Sequence, residues 1–201
     1  MINNDLLYYI PSGEFGKEGV LGLLKTHPEI RFVSLVGIDL AGNDTDEKVP
    51  IELFLKNYDD FFAGTAVQTD GSSVVLMNIA TLNDARVDMV ADASVNWYVD
   101  YNEDNLYSNG RPVGTLRIPC FLLHNGKFID SRSILKESCA FVAEKLKGLL
   151  ASGKPVKGME DLPVDEIEDI KFTIGTELEF WVKTPSETET VQHLSISQRL
   201  Q

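Results

Sequence analysis

The spacing of apolar side chains changes along the chain between that of a strand and that of a helix. From residue 31 the sequence RFVSLVGIDLAG is a nearly continuous apolar run. A turn through Gly42, Asn43 and Asp44 leads from it into a second, shorter run. Apolar runs bounded by turn residues are typical of strands, and two of them joined by a short turn predict a β-hairpin.

Three segments have helical spacing instead. The first covers residues 14–25, and the second begins at Pro50 and closes at Gly64. The third begins at Asp130 or Ser131, either of which suits a helix N-cap, and ends before Gly153. Apolar residues of the second and third segments recur every three or four positions, as in Ile51, Phe54, Leu55, Tyr58, Phe61 and Phe62, and in Ile134, Leu135, Cys139, Phe141, Val142, Leu146, Leu149 and Leu150.

Five more segments have strand character: GTAVQT, ARVDMVAD, VNWYVDY, TLRIPCFLLH and KFI. The last two are joined by Asn125-Gly126, a pair typical of tight hairpins. A hairpin, a helix and further strands predict an α+β domain of β-grasp-like arrangement, in which the helix packs across one face of a small curved sheet. We therefore divide the chain into a variable N-terminal extension (1–30), this domain (31–129), and the first helix and strand of an incomplete α/β domain (130–201).

The final strand signal, GTELEFWV, contains two carboxylates in an apolar run. Phe172, Ile174, Leu178, Phe180 and Val182 alternate with other residues, so Glu177 and Glu179 are expected on one face, about 7 Å apart at the backbone. Two ionised carboxylates held that close repel each other. Either this face is simply solvated, which is the more common situation, or a divalent cation lies between the two side chains.

Composition excludes several classes of function. The chain of 201 residues has 43% hydrophobic residues, enough for a sizeable core, and a formal net charge of −13, which disfavours nucleic acid as a partner. No segment has the length and apolarity of a membrane span, and the N-terminal residues lack the features of a signal peptide. Two cysteines, Cys120 and Cys139, fit reduced thiols and a cytoplasmic protein, although a disulfide is not excluded by sequence.

Five stretches in order, FVSLVGIDLAG, TDGSS, ARVDMVAD, DSRSILK and GTELEFWV, together resemble the N-terminal part of glutamine synthetases. That family has a β-grasp domain with a D-G-S-S loop, a following V-x-M-x-x-D-like strand, a D-x-R helix and an E-x-E strand that opens the catalytic domain. No single stretch is specific, but their order and spacing are. The resemblance implies a glutamate-ammonia ligase that converts glutamate, ammonia and ATP to glutamine through γ-glutamyl phosphate.

The resemblance also implies site residues. Glu177 and Glu179 match the two metal ligands of the E-x-E strand, and carboxylates suit Mg²⁺ or Mn²⁺. Asp70 matches the loop aspartate that binds ammonium, takes a proton from it and reaches into the neighbouring subunit of a homo-oligomeric ring. Ser73 matches the serine that supports this loop. The alternative for Asp70-Gly71-Ser72-Ser73 is an ordinary turn, in which Asp70 bonds to backbone and Gly71 supplies a positive φ.

Most of the family's catalytic domain has no counterpart here, including further metal-binding residues, the nucleotide pocket and the arginines that hold glutamate. Glu177 and Glu179 cannot complete a Mg²⁺ site, because this ion needs about six oxygens. We expect the 201-residue chain by itself to be inactive and to form a monomer or a weak oligomer. Two alternatives stay open: a non-catalytic oligomerisation or binding module derived from this fold, and a ligase that joins glutamate to another amine.

Overall fold

The computed structural model describes residues 4–77, 79–155, 157–160, 163, 166–177 and 179. Contacts between residues divide the chain into two compact units, Met1–Leu146 and Lys147–Gln201. The first unit contains an eight-stranded sheet and most of the helical residues. The predicted domain boundaries at residues 30 and 129 stay predictions.

The sheet is mostly antiparallel and is built around one long strand. In chain order, the strands are β1 (Tyr9–Ile10), β2 (Ile30–Ile38), β3 (Asp44–Pro50), β4 (Gln68–Asp70), β5 (Arg86–Ala91), β6 (Trp97–Leu106), β7 (Pro112–His124) and β8 (Lys127–Phe128). The order along the main path is β1-β6-β7-β2-β3, and β5 and β8 also pair with β7, while β4 pairs with β5. Strands β2 and β7 are parallel neighbours, and the other pairs are antiparallel. A mixed α+β fold is confirmed.

Both predicted hairpins are confirmed. Strands β2 and β3 pair over seven positions, from Phe32 opposite Pro50 to Ile38 opposite Asp44. Strands β7 and β8 are joined by Asn125 and Gly126, with φ values of 51° and 72°. A two-residue turn of this kind requires a positive φ at both positions, and Asn-Gly supplies it at the lowest cost.

The helices are α1 (Lys17–Thr26), α2 (Ile51–Lys56), α3 (Tyr58–Ala63) and α4 (Ser131–Ala151). One continuous helix was expected over residues 51–63, and this prediction is wrong in one respect: the helix breaks at Asn57, where φ is −115° and ψ is 33°. Asn57 ends α2 and at the same time precedes α3, and asparagine tolerates such a position better than most residues. Gly64 closes α3 in the left-handed conformation, as predicted.

The core lies between the sheet and the α2–α3 pair. Phe54 and Phe61 are fully buried, with ring centroids 5.0 Å apart in an edge-to-face arrangement, and Trp97 lies 6.2 Å from Phe54. Residues assigned to the N-terminal extension also contribute, because β1 pairs with β6 and Val20 and Leu24 of α1 are buried. Strand β1 and helix α1, which precede residue 30, are therefore part of the folded unit.

Asp130 starts α4, as the sequence predicts. Its buried carboxylate accepts hydrogen bonds from the backbone N–H of Ser133 (2.8 Å), the Ser133 hydroxyl (2.8 Å) and the backbone N–H of Leu122 (3.1 Å). The first of these bonds is that of a helix N-cap, and the last ties the helix start to β7. Both cysteines are free thiols, and burial raises the pKa of Cys120 to about 12.

In the second unit, the described residues beyond α4 form no strand. Residues 172–177 and Glu179 lie outside regular secondary structure, so the strand predicted over this segment is wrong for these positions; Leu178 and residues 180–182 lie outside the described residues. A strand needs neighbours that satisfy its backbone N–H and C=O groups. In the described part of the chain no strand pairs with residues 172–177, and Ile174 is 73% exposed.

None of the helices among the described residues has the length and apolarity needed to cross a membrane.

Candidate functional site

Two of the four predicted site residues lie together in the first unit. Asp70 is the last residue of β4, and Ser73 ends the single 3₁₀ turn Gly71–Ser73 that follows it. Glu177 and Glu179 belong to the second unit, where both are exposed. The Asp70 loop, defined here as residues 70–75, and the two glutamates are therefore described separately.

The sequence of the Asp70 loop explains its conformation. The Asp70 carboxylate accepts a hydrogen bond from the backbone N–H of Ser72 at 2.7 Å, which turns the chain immediately after β4. Gly71 donates its N–H to the Ala85 carbonyl at 2.7 Å, in continuation of the β4–β5 pairing. This is the backbone bond that the ordinary-turn alternative predicts for Asp70.

Gly71 is needed for space rather than for a left-handed conformation. Its φ is not positive, so the predicted reason for a glycine here is wrong. Gly71 is buried, and a Cβ at this position would lie 2.2 Å from the Leu82 carbonyl oxygen and 3.0 Å from the Ala85 carbonyl oxygen. The loop is thus packed directly against the backbone of residues 82–85.

Two buried side chains hold the far end of the Asp70 loop. The Asp39 carboxylate, at the end of β2, accepts a hydrogen bond from the Val75 N–H at 2.9 Å. It also accepts bonds from the backbone N–H groups of Ala41 (2.8 Å) and Asn43 (2.9 Å) and from the Asn43 side chain (3.1 Å). The Thr45 hydroxyl of β3 donates to the Ser73 carbonyl at 3.2 Å. The loop is therefore fixed at both ends while its middle faces solvent.

The electrostatics of the loop keep both aspartates ionised. Hydrogen bonds from the hydroxyl and the N–H of Ser72 lower the pKa of the exposed Asp70. For Asp39, burial by itself would raise the pKa, but the bonds from Val75, Asn43 and Ala41 outweigh burial and hold the pKa below its usual value. An ionised carboxylate accepts all four bonds at Asp39, whereas a protonated one would lose an acceptor position.

Asp70 borders an open hollow of about 510 Å³ on the surface. It is lined by Gln68, Thr69, Asp70, Asp84, Ala85 and Arg86. Arg86 is the residue opposite Asp70 in the β4–β5 register. The hollow therefore presents charges of both signs and is open enough for a small ion to reach Asp70.

Ser73 is the last residue of the 3₁₀ turn. Its side chain is exposed, and its backbone carbonyl is the group that accepts the Thr45 hydroxyl. The hydrogen bonds described above connect the Ser73 position to β3 through its main chain rather than through its hydroxyl. A direct catalytic role for Ser73 stays a prediction.

The two glutamates supply carboxylate oxygens, which suit a hard cation, but two side chains are too few to hold one. Glu177 and Glu179 supply two carboxylates, and among the described residues no three His, Cys, Asp or Glu side chains are grouped closely enough to hold a metal ion. Mg²⁺ takes about six oxygen ligands. The described residues therefore form at most part of a metal site.

Comparisons with known proteins give a distant likeness to solved structures only. No protein-family model matches the chain, and no curated protein matches it. Among solved structures, the chain is similar to the cryo-EM structure of Plasmodium falciparum glutamine synthetase, with 18% sequence identity and a TM-score of 0.45. The likeness covers 66% of this chain and 24% of that one. The chain spans about a quarter of that protein, and a likeness of this size does not assign a function to it.

The sequence does not reveal Asp39 and Thr45 as residues of the loop. Asp39 does have a local sequence signal. It precedes Ala41 by two residues and Asn43 by four, and an aspartate in such a position typically caps a turn by accepting hydrogen bonds from the backbone N–H groups that follow. Its bond to Val75 joins residues 36 positions apart, and that of Thr45 joins residues 28 positions apart. Such contacts follow from the sheet topology and cannot be read from spacing.

Proposed function

We propose that this chain is the N-terminal portion of a glutamine synthetase-type ligase, which forms glutamine from glutamate, ammonia and ATP. The order of the five stretches supports this proposal. The observation that carries it is the presentation of Asp70, an exposed and ionised carboxylate on a loop fixed by hydrogen bonds at both ends. The bond from the Ser72 N–H uses one oxygen of this carboxylate, Oδ1, and the carboxylate is exposed beside the hollow.

In the proposed reaction, Asp70 attracts ammonium into the hollow and receives a proton from its nitrogen. The lone pair released on nitrogen attacks the carbonyl carbon of γ-glutamyl phosphate, which is formed by transfer of the γ-phosphoryl group of ATP to glutamate. As the C–N bond forms and the bond to the phosphate oxygen breaks, the nitrogen gives a second proton to the departing phosphate, so that the products are the neutral amide and hydrogen phosphate. A carboxylate suits both parts of this role, because it attracts a cation and can accept a proton. Hydrogen bonds from Ser72 lower the pKa of Asp70, which favours its ionised form and the attraction of a cation but makes it a weaker proton acceptor.

The remaining parts of the proposal concern the complete protein. Glu177 and Glu179 are proposed as two of its ligands for Mg²⁺ or Mn²⁺, which would neutralise charge on ATP. A β-grasp domain is supported by the β2–β3 hairpin, the α2–α3 pair after it and the parallel pairing of β2 with β7. We also propose a cytoplasmic, homo-oligomeric ring in which the Asp70 loop contributes to a neighbouring subunit's site.

The test of this proposal is amide formation by the product of the whole reading frame, including any coding sequence beyond residue 201. We expect that product to form glutamine and phosphate from glutamate, ammonium and ATP, and the 201-residue chain to form none. Asp70→Asn should lower the rate at limiting ammonium by about 100-fold or more, the usual contribution of a positioned acid or base. Asp104→Asn, an exposed residue of β6, is the matched control and should have no effect.

The other outcomes distinguish the alternatives. Full activity of the Asp70→Asn protein would contradict the role given to Asp70. Product formation with a primary amine but not with ammonium would favour the related glutamate-amine ligase. A reading frame that stops after codon 201, or a longer product with no ligase activity, would make the non-catalytic module the better explanation.

A second prediction concerns the metal. In the complete protein, Glu177→Gln and Glu179→Gln should each weaken Mn²⁺ binding by about tenfold or more, measured from the signal of free Mn²⁺ by electron paramagnetic resonance. Glu166→Gln, an exposed glutamate earlier in the same segment, should leave the binding unchanged. Equal effects of all three substitutions would indicate diffuse attraction of Mn²⁺ by an acidic surface and would contradict the assignment.

A further inference from the structure

We propose that Asp39 is a positioning residue for Asp70: its buried carboxylate fixes the end of the Asp70 loop and so sets the orientation of the Asp70 carboxylate. This inference rests on the proposed function for the meaning of Asp70, but its structural part can be tested independently. Asp39 is fully buried, lies at the end of β2 and is 31 positions from Asp70 in the sequence.

The four hydrogen bonds to Asp39 divide between its two oxygens. Oδ1 accepts from the N–H groups of Ala41 and Asn43 and stabilises the β2–β3 turn. Oδ2 accepts from the Asn43 side chain and from the Val75 N–H. Of these four bonds, only the one from the Val75 N–H joins Asp39 to a residue outside the β2–β3 turn. This bond therefore fixes the Asp70 loop relative to the end of β2.

A second contact from the same hairpin acts on the residue two positions earlier. The Thr45 hydroxyl donates to the Ser73 carbonyl, and Thr45 is buried. Within the loop, Val74 donates its N–H to the Gly71 carbonyl at 3.1 Å, and Ser72 donates its N–H to Asp70. These hydrogen bonds, linked by the covalent backbone of residues 70–75, connect Asp39 and Thr45 through the 3₁₀ turn to the Asp70 carboxylate.

The position of Asp70 depends on these hydrogen bonds because the pairing of β4 with β5 ends at Asp70, and the residues that follow it are not in a strand. Up to Asp70 the chain is held by pairing with β5. Beyond it, the loop is held by the bond of Gly71 to Ala85, by the bonds from the hairpin, and by the burial of Val74 in the core. Without the bond at Val75, the end of the 3₁₀ turn would be held only by the Thr45 bond to the Ser73 carbonyl and by the burial of Val74. The hydrogen bond from the Ser72 N–H to the Asp70 carboxylate would then be formed for a smaller fraction of the time.

Asp39→Asn is the most specific test. The amide oxygen can still accept from Ala41 and Asn43, and the Asn43 side chain can flip to accept from the new NH₂ group, but the Val75 N–H then faces a donor. In the 201-residue chain we expect the Val75 amide to exchange with solvent about tenfold faster, as for the loss of one hydrogen bond. We also expect the pKa of Asp70, followed by NMR of its carboxyl carbon, to rise toward the usual value of an aspartate.

Asp130→Asn is the matched control, because Asp130 is also buried and also accepts hydrogen bonds from backbone N–H groups, in its case those of Leu122 and Ser133. It should leave the titration of Asp70 unchanged. If Asp39→Asn prevents folding, the titration of Asp70 is measured in Thr45→Val instead. This substitution removes the hydroxyl that donates to the Ser73 carbonyl at nearly constant side-chain volume. It should shift the Asp70 titration in the same direction by a smaller amount.

The outcomes separate the inference from the function. An unchanged Asp70 titration in a folded Asp39→Asn protein would overturn the inference, even if the Val75 amide exchanges faster, because Asp39 would then stabilise only its own turn. In an active complete protein, Asp39→Asn should raise KM for ammonium about fivefold or more and leave KM for glutamate within about twofold. If the NMR result is as expected and no ligase activity is found, the proposed function fails and the structural coupling stands.

Discussion

Gly71→Ala should destabilise the first unit by about 3 kcal/mol, the upper part of the range for overpacking. The added Cβ would lie 2.2 Å from the Leu82 carbonyl oxygen and 2.8 Å from the Leu82 Cβ. Because the nearest atom belongs to backbone, no side-chain rotation relieves the contact, and either the loop or residues 82–85 must move. The free energy of unfolding, measured by urea denaturation with circular dichroism, checks this prediction.

Gly22→Ala is the control with the opposite sign. Gly22 lies in α1, and a Cβ there would meet no atom within 4 Å. Alanine is the better helix former, so this substitution should stabilise the protein by about 0.5–1 kcal/mol. If Gly71→Ala costs less than about 1 kcal/mol, the loop is not packed against residues 82–85 as described, and the fixed position of Asp70 loses its structural basis.

The local elements of this fold could be predicted because their determinants are adjacent in the sequence. Asn125 and Gly126 fix the β7–β8 turn by themselves, and Asp130 begins α4 through a bond to Ser133, three residues away. The break at Asn57 was missed because apolar periodicity continues across it, from Phe54 to Phe61. The periodicity of apolar residues indicates which face of a helix is buried, but not whether the hydrogen bonds of the helix backbone continue without a break.

The candidate site was predicted less completely, for a different reason. The sequence identifies Asp70 and Ser73 by their resemblance to a family motif, and the structure places them on one loop. The groups that hold this loop, Asp39 and Thr45, come from the β2–β3 hairpin, and the role of Gly71 depends on its distance from Leu82. These are consequences of tertiary packing, which a linear pattern does not contain.

The strand predicted around Glu177 shows the limit of pattern reasoning most clearly. Alternation of apolar and polar residues indicates which face of a strand would be buried, but a strand also needs partners for its backbone. In the described residues of this segment no such pairing exists, and Phe172 and Ile174 are 48% and 73% exposed. The metal-ligand assignment of Glu177 and Glu179 thus depends on groups outside the described residues.

The largest effect on stability is expected for Phe54→Ala, at about 3–5 kcal/mol. Phe54 is fully buried in α2, and its ring centroid lies 5.0 Å from that of Phe61, 5.3 Å from that of Tyr58 and 6.2 Å from that of Trp97. Removal of the ring would take away buried apolar surface and leave a cavity between the helices and the sheet. A loss of this size is a large fraction of the 5–15 kcal/mol typical of a folded domain.

Phe141→Ala is the matched control, since Phe141 lies on α4 and is 58% exposed. It should change the free energy of unfolding by no more than about 0.5 kcal/mol. The two substitutions therefore measure the same chemical change in a buried and an exposed position. A similar, small loss for both would show that α2 and α3 are not packed on the sheet as described.

Phe54→Ala also separates global stability from the position of Asp70. Phe54 packs against the rings of Phe61 and Trp97, whereas the hydrogen bonds that hold the Asp70 loop come from Asp39 and Thr45 and go to Ala85. While the protein stays folded, Phe54→Ala should leave the pKa of Asp70 unchanged although it removes more stability than Asp39→Asn does. A shift of the Asp70 titration in the Phe54→Ala protein as large as that in Asp39→Asn would mean that any loosening of the fold displaces the loop, and Asp39 would have no special part in positioning it.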